Sequence, residues 1–286
     1  VVVSGIGCSS RFPYYMNTYG FHSIHGRAPA VATGVKIANP DLSVWVVTGD
    51  GDGLSIGGNH FMHVLRRNMD VNILMFNNRI YGLTKGQYSP TSEQGKKTKA
   101  SPYGSIDYPL NPPSLALGAQ ATFVARTIDR WQKHLAAMLE RSYNHDGGSF
   151  IEIYQNCNIF NDAAFEEYTG AEKFSNVIEL KHGEPMVFAQ GTKGIKLDGF
   201  KPKVVDMEKN SIDDILVHNE TDLDLAHIIA NWTSHPTLPE PIGVIYCIDK
   251  TTYNQDIVNQ IELAIKTKGP GNVQDLLNSG DTWVVD

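Results

Sequence analysis

Along the first half of the chain, short β-branched and aliphatic runs bounded by Gly, Asn or Pro alternate with longer stretches that have helical spacing. Residues 1–4 read as a strand, and 29–38 as a helix closed by Asn39-Pro40. The run Val44, Trp45, Val46, Val47 leads to Gly49-Asp50-Gly51, and the run from Val71 to Phe76 leads to Asn77-Asn78. Each has the length and the bounding turn residues of a buried parallel strand. Between them, 55–67 reads as the crossover helix, with Ile56, Met62 and Leu65 facing inward. Residues 79–113 show no periodicity and are rich in Gly, Pro, Ser, Thr and Lys; such a long loop inside a compact domain is functional or mobile. A short helix over 114–119, a strand over 122–125, a helix over 129–145 with Leu135, Met138 and Leu139 on one face, and a strand over 150–154 follow. This βαβα order predicts an α/β fold built on a doubly wound parallel sheet. After Asn158 the pattern loosens into polar and acidic stretches.

In this scheme Asp50 and Asn78 sit at the carboxyl ends of neighbouring strands, where open α/β sheets bind ligands. A carboxylate and an amide oxygen on adjacent loops supply two hard ligands for Mg²⁺, which shares its octahedral oxygen shell with substrate phosphates. The glycines flanking Asp50 let the backbone approach a phosphate closely, and the helix that follows turns N–H groups toward the same place.

A GDG triplet followed about thirty residues later by NN, each ending an apolar strand, resembles the thiamine diphosphate motif. The likeness extends further. SGIGCSSR (4–11), HSIHGR (22–27), TGDGDGLSIGGNH (48–60), RRN (66–68) and NNRIYGLTKGQYSPTS (77–92) occur in that order. Together they resemble the β subunit of 2-oxoacid:ferredoxin oxidoreductases, particularly the 2-oxoglutarate type. The match is dense over 1–161 and looser over 187–253, where HNETDLDLAHIIANW and PIGVIY resemble the tail of longer members. The resemblance implies a thiamine diphosphate-binding fold over 1–185, carrying the cofactor and Mg²⁺, with a C-terminal extension over 186–286. It implies CoA-dependent oxidative decarboxylation of a 2-oxoacid, with electrons passed to ferredoxin. Asp50, Asn78 and the carbonyl of Ile80 would hold Mg²⁺. Gly49, Gly51, Asp52, Gly82, Leu83 and Thr84 would shape the cofactor pocket, and Ile6, Gly7, Cys8 and Ser9 would reach it from the first loop.

Three cysteines, Cys8, Cys157 and Cys247, make no disulfide framework. Cys247, in GVIYCI, reads as a buried free thiol. Cys8 and Cys157 each follow a strand and belong at one edge of the sheet; spacing alone leaves them either free thiols or metal ligands. The resemblance implies that both ligate a four-iron, four-sulfur cluster whose other two ligands come from a CxxC. This chain holds no CxxC, so either those ligands lie upstream of Val1 or the cluster has been lost; an opening that reads as a strand within a fold favours the first.

His25, in HGR, matches a motif near the cofactor and suits an acid/base or positioning role, since imidazole moves a proton near neutral pH. His22 reads equally as a loop residue that bonds nearby backbone and as a functional one, and the pair His60 and His63 as helix-surface or packing residues. Arg11 offers a bidentate fork for the distal carboxylate of a dicarboxylic 2-oxoacid, and the resemblance implies a basic residue near the substrate there. This favours 2-oxoglutarate over pyruvate. The run Lys96-Lys97-Thr98-Lys99 reads as a solvated loop with a weak claim on acidic ferredoxin or CoA phosphates.

Composition changes the picture little. The 286 residues suffice for one large domain with an annex. Glycine reaches 26 residues, mostly in loops between apolar runs, as a backbone-lined site requires. The net charge of −7 argues against nucleic acid or anionic membrane as a partner. No apolar run approaches the roughly 20 residues of a membrane span, and a cytoplasmic protein is expected. No glutamate suits protonation of the cofactor's aminopyrimidine; in the family the α subunit carries it. The expectation is therefore an (αβ)₂ heteromer in which the α subunit also supplies much of the CoA and substrate site. A non-oxidative thiamine diphosphate decarboxylase and a non-catalytic scaffold subunit stay open beside this reading.

Overall fold

The computed structural model describes residues 1–285. Eleven strands are formed among the described residues: β1 (Val2–Ser4), β2 (Gly20–His22), β3 (Trp45–Gly49), β4 (Asn72–Asn77), β5 (Phe123–Ile128), β6 (Ser149–Tyr154), β7 (Val177–Leu180), β8 (Val187–Phe188), β9 (Lys193–Asp198), β10 (Lys201–Asp206) and β11 (Glu240–Cys247). Eight make one sheet in the order β2-β1-β3-β4-β6-β5-β11-β7, and β10-β9-β8 make a small second sheet. The expected parallel sheet is present from β2 through β5. To it the late part of the chain adds β11, antiparallel to β5 and parallel to β7. The segment after 186 therefore contributes a strand to the main sheet as well as forming its own small one.

Successive side chains of a strand point to opposite faces, and here both faces are covered. Val46, Ile73, Met75, Val124 and Phe150 join a core with Phe61, Val64, Ala116, Ala226 and Ile229 on one side. Leu74, Ala125, Ile151 and Ile153 pack against Met138, with Leu135 and Leu139 beside it, on the other. The inward face expected for the helix over 129–145 is thus formed by Gln132–Tyr143.

The crossover differs from expectation. Instead of one helix over 55–67 there are two, Asp50–Leu54 and Gly58–Arg66. Ser55 leaves the helical region at φ −84°, ψ −105°. The break lets the backbone at Gly57 press against Gly26, so that a Cβ on Gly57 would stand 2.7 Å from Gly26 Cα. The interruption also changes the helix phase. Phe61, Val64 and Leu65 are buried, while Ile56 and Met62 are exposed. Only Leu65 of the three expected inward residues faces the core.

Beneath β11 lies a wholly buried ionic group. Arg126 donates from Nε to Glu152 Oε2 at 2.7 Å and from Nη1 to Glu240 Oε1 at 2.6 Å, and all three residues are at most 2 % exposed. Burial pulls the pKa of Arg126 down; the neighbouring Tyr154, Glu152 and Glu240 more than reverse this, leaving it above the ordinary value. Removing one member of such a group strands the others without solvent or partner. Arg126→Met is therefore expected to cost about 3–5 kcal/mol, read as a lower urea midpoint, whereas Arg141→Met, at a half-exposed pair with Glu220, should cost less than about 1 kcal/mol.

Candidate active site

The loops at the carboxyl ends of β1, β2, β3 and β4 enclose one cleft. Its lining includes Ile6, Gly7, Cys8 and Ser9 from the first loop, His25 from the second, and Gly49, Asp50, Gly51 and Asp52 after β3. Asn78, Ile80, Gly82, Leu83 and Thr84 after β4 complete the set expected from sequence. Phe76, Tyr81 and Gln155 also line it and were not anticipated. Arg11 lies outside this lining, exposed at the end of the turn Cys8–Arg11.

Asp50 heads a five-residue helix in which Gly and Asp, both weak helix formers, fill four positions. Asp52 reaches back to accept from the Gly49 N–H at 2.7 Å, which anchors the first turn. Asp50 is only 1 % exposed. Its Oδ2 accepts from Thr91 Oγ1 at 2.7 Å, and its Oδ1 faces the Asn78 N–H at 3.4 Å. Burial pushes the Asp50 carboxyl up to about 6, against smaller opposing effects of its hydrogen bonds. Burial likewise raises Asp52.

Glycine is needed at several of these positions for space. A Cβ at Gly51 would run into the Tyr81 ring, and one at Gly5 would overlap Asp52 Oδ2. Tyr81 closes this wall by donating its hydroxyl to the Gly51 carbonyl at 2.8 Å. Gly26, at φ +67°, lies in the left-handed region and against Gly57, which holds the His25 loop over the cleft. Two buried oxygens here, Ser9 Oγ and Asp52 Oδ2, have no hydrogen-bond partner.

The long loop over 79–111 is irregular, as expected, and its centre returns to the site. Ser89, Thr91 and Ser92 are each no more than 5 % exposed. Ser92 donates to the Arg79 carbonyl at 2.6 Å, while Thr91 reaches Asp50. Neither Thr91 nor Ser89 was singled out from sequence. The signal available was the unusual SPTS cluster amid a loop whose length already suggested function.

Cys8 and Cys157 are free thiols from opposite ends of the motif-bearing region. The fold brings them together over Gly82: a Cβ there would lie 3.3 Å from Cys8 Sγ and 3.5 Å from Cys157 Sγ. The Cys8 thiol is pushed up, first by burial and then by the neighbouring Cys157. Cys247 is half-buried rather than buried, because it ends β11, and its Sγ lies 3.9 Å from His145 Nδ1. Among the described residues, no three His, Cys, Asp or Glu side chains converge on a metal position. His22 bonds through Nδ1 to Ser4 Oγ at 2.9 Å; His60 and His63 stand partly buried on the helix Gly58–Arg66. Lys96 pairs with Asn161 and, at 3.8 Å, with Glu93, while Lys97 and Lys99 are exposed.

Comparison with known proteins places this geometry. Residues 5–153 match the family model of the thiamine pyrophosphate enzymes' C-terminal TPP binding domain. The chain is 51 % identical to the 2-oxoglutarate oxidoreductase subunit KorB of Mycobacterium tuberculosis, over the whole chain and 78 % of that protein. It is 49 % identical to the β subunit of 2-oxoacid:ferredoxin oxidoreductase 1 of Aeropyrum pernix, over 59 % of the chain and 53 % of that protein. It thus spans most of the first relative and about half of the second. The structure of 2-oxoglutarate:ferredoxin oxidoreductase from Magnetococcus marinus, with 2-oxoglutarate, coenzyme A and succinyl-CoA bound, superposes with a TM-score of 0.75 and 30 % identity over 98 % of this chain and 82 % of that one. With Asp50 and Asn78 meeting at the ends of adjacent strands inside the matched region, the chain belongs to the thiamine pyrophosphate-binding β subunits of the 2-oxoacid:ferredoxin oxidoreductases.

Proposed function

We infer that this chain is the thiamine diphosphate-binding β subunit of a 2-oxoglutarate:ferredoxin oxidoreductase, converting 2-oxoglutarate and CoA to succinyl-CoA and CO₂ while two electrons leave singly for ferredoxin. The observation that carries the reading is the convergence of Asp50, Asn78 and the loop after β4 on one glycine-walled cleft. The residues present fit the cofactor. Asp50 and Asn78, with the Ile80 carbonyl, are the hard oxygen donors that Mg²⁺ prefers. The partnerless Ser9 Oγ and Asp52 Oδ2 leave buried polar atoms for a ligand to satisfy. When bound, thiamine diphosphate supplies a nucleophilic carbon and an electron sink for decarboxylation.

The chain's own residues then divide the remaining work. Gly49, Gly51 and Gly82 would let a diphosphate and ring come close to the backbone, and Tyr81 and Phe76 would exclude water from one wall. His25, exposed at the rim, is placed to hold or move a proton. Arg11, on the same turn as Cys8, is assigned to the distal carboxylate of the substrate. Cys8 and Cys157 are assigned as two thiolate ligands of a four-iron, four-sulfur cluster, supported by the approach of both sulfurs to Gly82; its other two ligands lie outside these residues.

A partner completes the site. The α subunit is assigned the glutamate that faces the aminopyrimidine and much of the CoA pocket, within an (αβ)₂ assembly. Segments adjoining the cleft expose Tyr14, Tyr15, Tyr19, Ile24 and Leu83, each more than half accessible, and exposed apolar side chains of this kind suit contact with a partner protein. No helix among the described residues is long and apolar enough to cross a membrane, and we assign the complex to the cytoplasm.

Reconstituted with its partner, the chain is expected to support ferredoxin reduction that depends on 2-oxoglutarate and CoA. Arg11→Ala should lower kcat/KM for 2-oxoglutarate about 10- to 150-fold more than for pyruvate, the worth of one charge-assisted hydrogen bond. Equal losses for the two acids would remove Arg11 from substrate recognition, and no turnover of either acid by the wild type would remove the assigned reaction. Cys8→Ser and Cys157→Ser should each lower the iron content of the complex and abolish its reduction of ferredoxin; unchanged iron stoichiometry in both excludes the cluster assignment.

The titration of Asp50 gives a further expectation. Metal binding requires the ionised carboxylate, so Mg²⁺-dependent cofactor affinity should be level above pH 7 and fall about tenfold per unit well below pH 6. In the cofactor-free protein the sign is opposite. The unfolded chain loses this proton near pH 4 while the fold keeps it to about 6. The carboxyl's contribution to stability therefore declines as pH rises from 4 to 6, by about 3 kcal/mol at most. Asp50→Asn should remove that decline, as read by urea unfolding at pH 4.5 and 7.

A further inference from the structure

The buried polar side chains behind the cleft join into one connected path. Thr91 Oγ1 carries one proton and has two acceptors in reach, Asp50 Oδ2 at 2.7 Å and Asn77 Oδ1 at 2.9 Å. Asn77 Nδ2 donates to Glu152 Oε1 at 2.7 Å. Glu152 accepts from Arg126 Nε at 2.7 Å, and Arg126 Nη1 donates to Glu240 Oε1 at 2.6 Å. Glu240 in turn accepts from the Tyr154 hydroxyl at 2.8 Å and from the Ser234 N–H at 2.9 Å. From Asp50 to Glu240 every member is at most 5 % exposed, so water cannot replace a lost link.

The donor and acceptor chemistry makes the path directional. Ionised Glu152 can only accept, so the amide of Asn77 must turn its nitrogen toward Glu152 and its oxygen toward Thr91. That oxygen also receives the Arg79 N–H at 3.1 Å. The same bond helps hold Arg79 at φ +55°, unusual for a residue with a long side chain, and Arg79 directly follows Asn78. The Arg79 guanidinium reaches Ser234 Oγ at 3.1 Å and lies 4.6 Å from the centre of the Phe165 ring. Both side-chain groups assigned to the metal, Asp50 through Thr91 and Asn78 through its neighbours, are therefore tied to residues 234–240.

We propose that Thr91 is a positioning residue for the Asp50 carboxylate, and that the buried path Thr91–Asn77–Glu152–Arg126–Glu240 couples the metal end of the cleft to the late segment carrying Ser234 and β11. The proposal rests on the reading of Asp50 as a metal ligand. Thr91 pins one carboxylate oxygen and leaves the other directed toward Asn78. Its single proton lies between two acceptors, Asp50 Oδ2 and Asn77 Oδ1, so the ion group, by orienting the Asn77 oxygen, sets how firmly Thr91 donates to Asp50.

The test measures Mg²⁺ affinity at saturating thiamine diphosphate by calorimetry on the assembled complex, with melting temperature followed in parallel. Thr91→Val keeps the shape and removes the hydroxyl; it should weaken Mg²⁺ about tenfold, the scale of one charge-assisted bond. Thr91→Ser should recover affinity to within about threefold of the wild type. Unchanged affinity in Thr91→Val, or equal loss in the Ser and Val variants, overturns the positioning role. For the coupling, Glu240→Gln should also weaken Mg²⁺, and adding it to Thr91→Val should cause little further loss, because both act through one path. Losses that multiply independently overturn the coupling. If Glu240→Gln does not fold, Tyr154→Phe removes a donor to the same carboxylate and takes its place in the comparison. A wild-type complex that binds no Mg²⁺ with thiamine diphosphate overturns the metal-site reading itself, an outcome distinct from wild-type binding with an indifferent Thr91.

Discussion

The interior of the sheet is organised around one cation. Arg126 is fully buried between Glu152 and Glu240, and the three charges tolerate that environment only while their geometry is kept. Arg126 is on β5, Glu152 on β6 and Glu240 on β11. The requirement that they meet therefore fixes how the late strand β11 sits against the older part of the sheet. A hydrophobic contact would permit small slips between strands; a paired charge in a dry interior does not. The site inherits this rigidity, since Glu152 also orients Asn77, directly before Asn78.

The cleft spends stability that the core supplies. Asp50 is held where ionisation is disfavoured, and Ser9 Oγ and Asp52 Oδ2 have no partners in the protein. Each is costly in an empty fold, since buried polar groups are ordinarily satisfied. On the proposed reading, a metal and a phosphorylated ligand would offset these costs together. Glycines at 5, 51 and 57 serve the same end. They remove side chains where two backbones or a backbone and a carboxylate must come closer than a Cβ allows.

Two thiols from residues 8 and 157 meet beside Gly82, next to the lining of the cleft. This adjacency gives the proposed function its economy. A cluster held by these thiolates would adjoin the cleft proposed for the cofactor and could accept electrons from it. The exposed tyrosines and Leu83 nearby are suited to being covered by the α partner that a β subunit implies.

Much of this was legible in the amino-acid order. The β-branched runs ending at Gly49 and Asn77 are local signals, because a strand buried on both faces needs continuous apolar residues and a turn residue to stop it. Asp50 and Asn78 followed from those ends, whereas the residues from Ile6 to Ser9 and from Gly82 to Thr84 came from the likeness of their motifs to a known family. Other features depend on contacts between distant segments and leave no periodic trace. The break at Ser55–Gly57 answers to Gly26 on another loop, so it shifted the helix phase and exposed Ile56 and Met62. Thr91 meets Asp50 only because a long irregular loop folds back, and β11 enters beside β5 through the pairing of Glu240 with Arg126, 114 residues away. Local hydrophobic rhythm therefore determined the strands and the ends at which chemistry sits. The partners of the buried charges were decided by tertiary structure, since pairing a charge depends on its distance in space and not on its place in the chain.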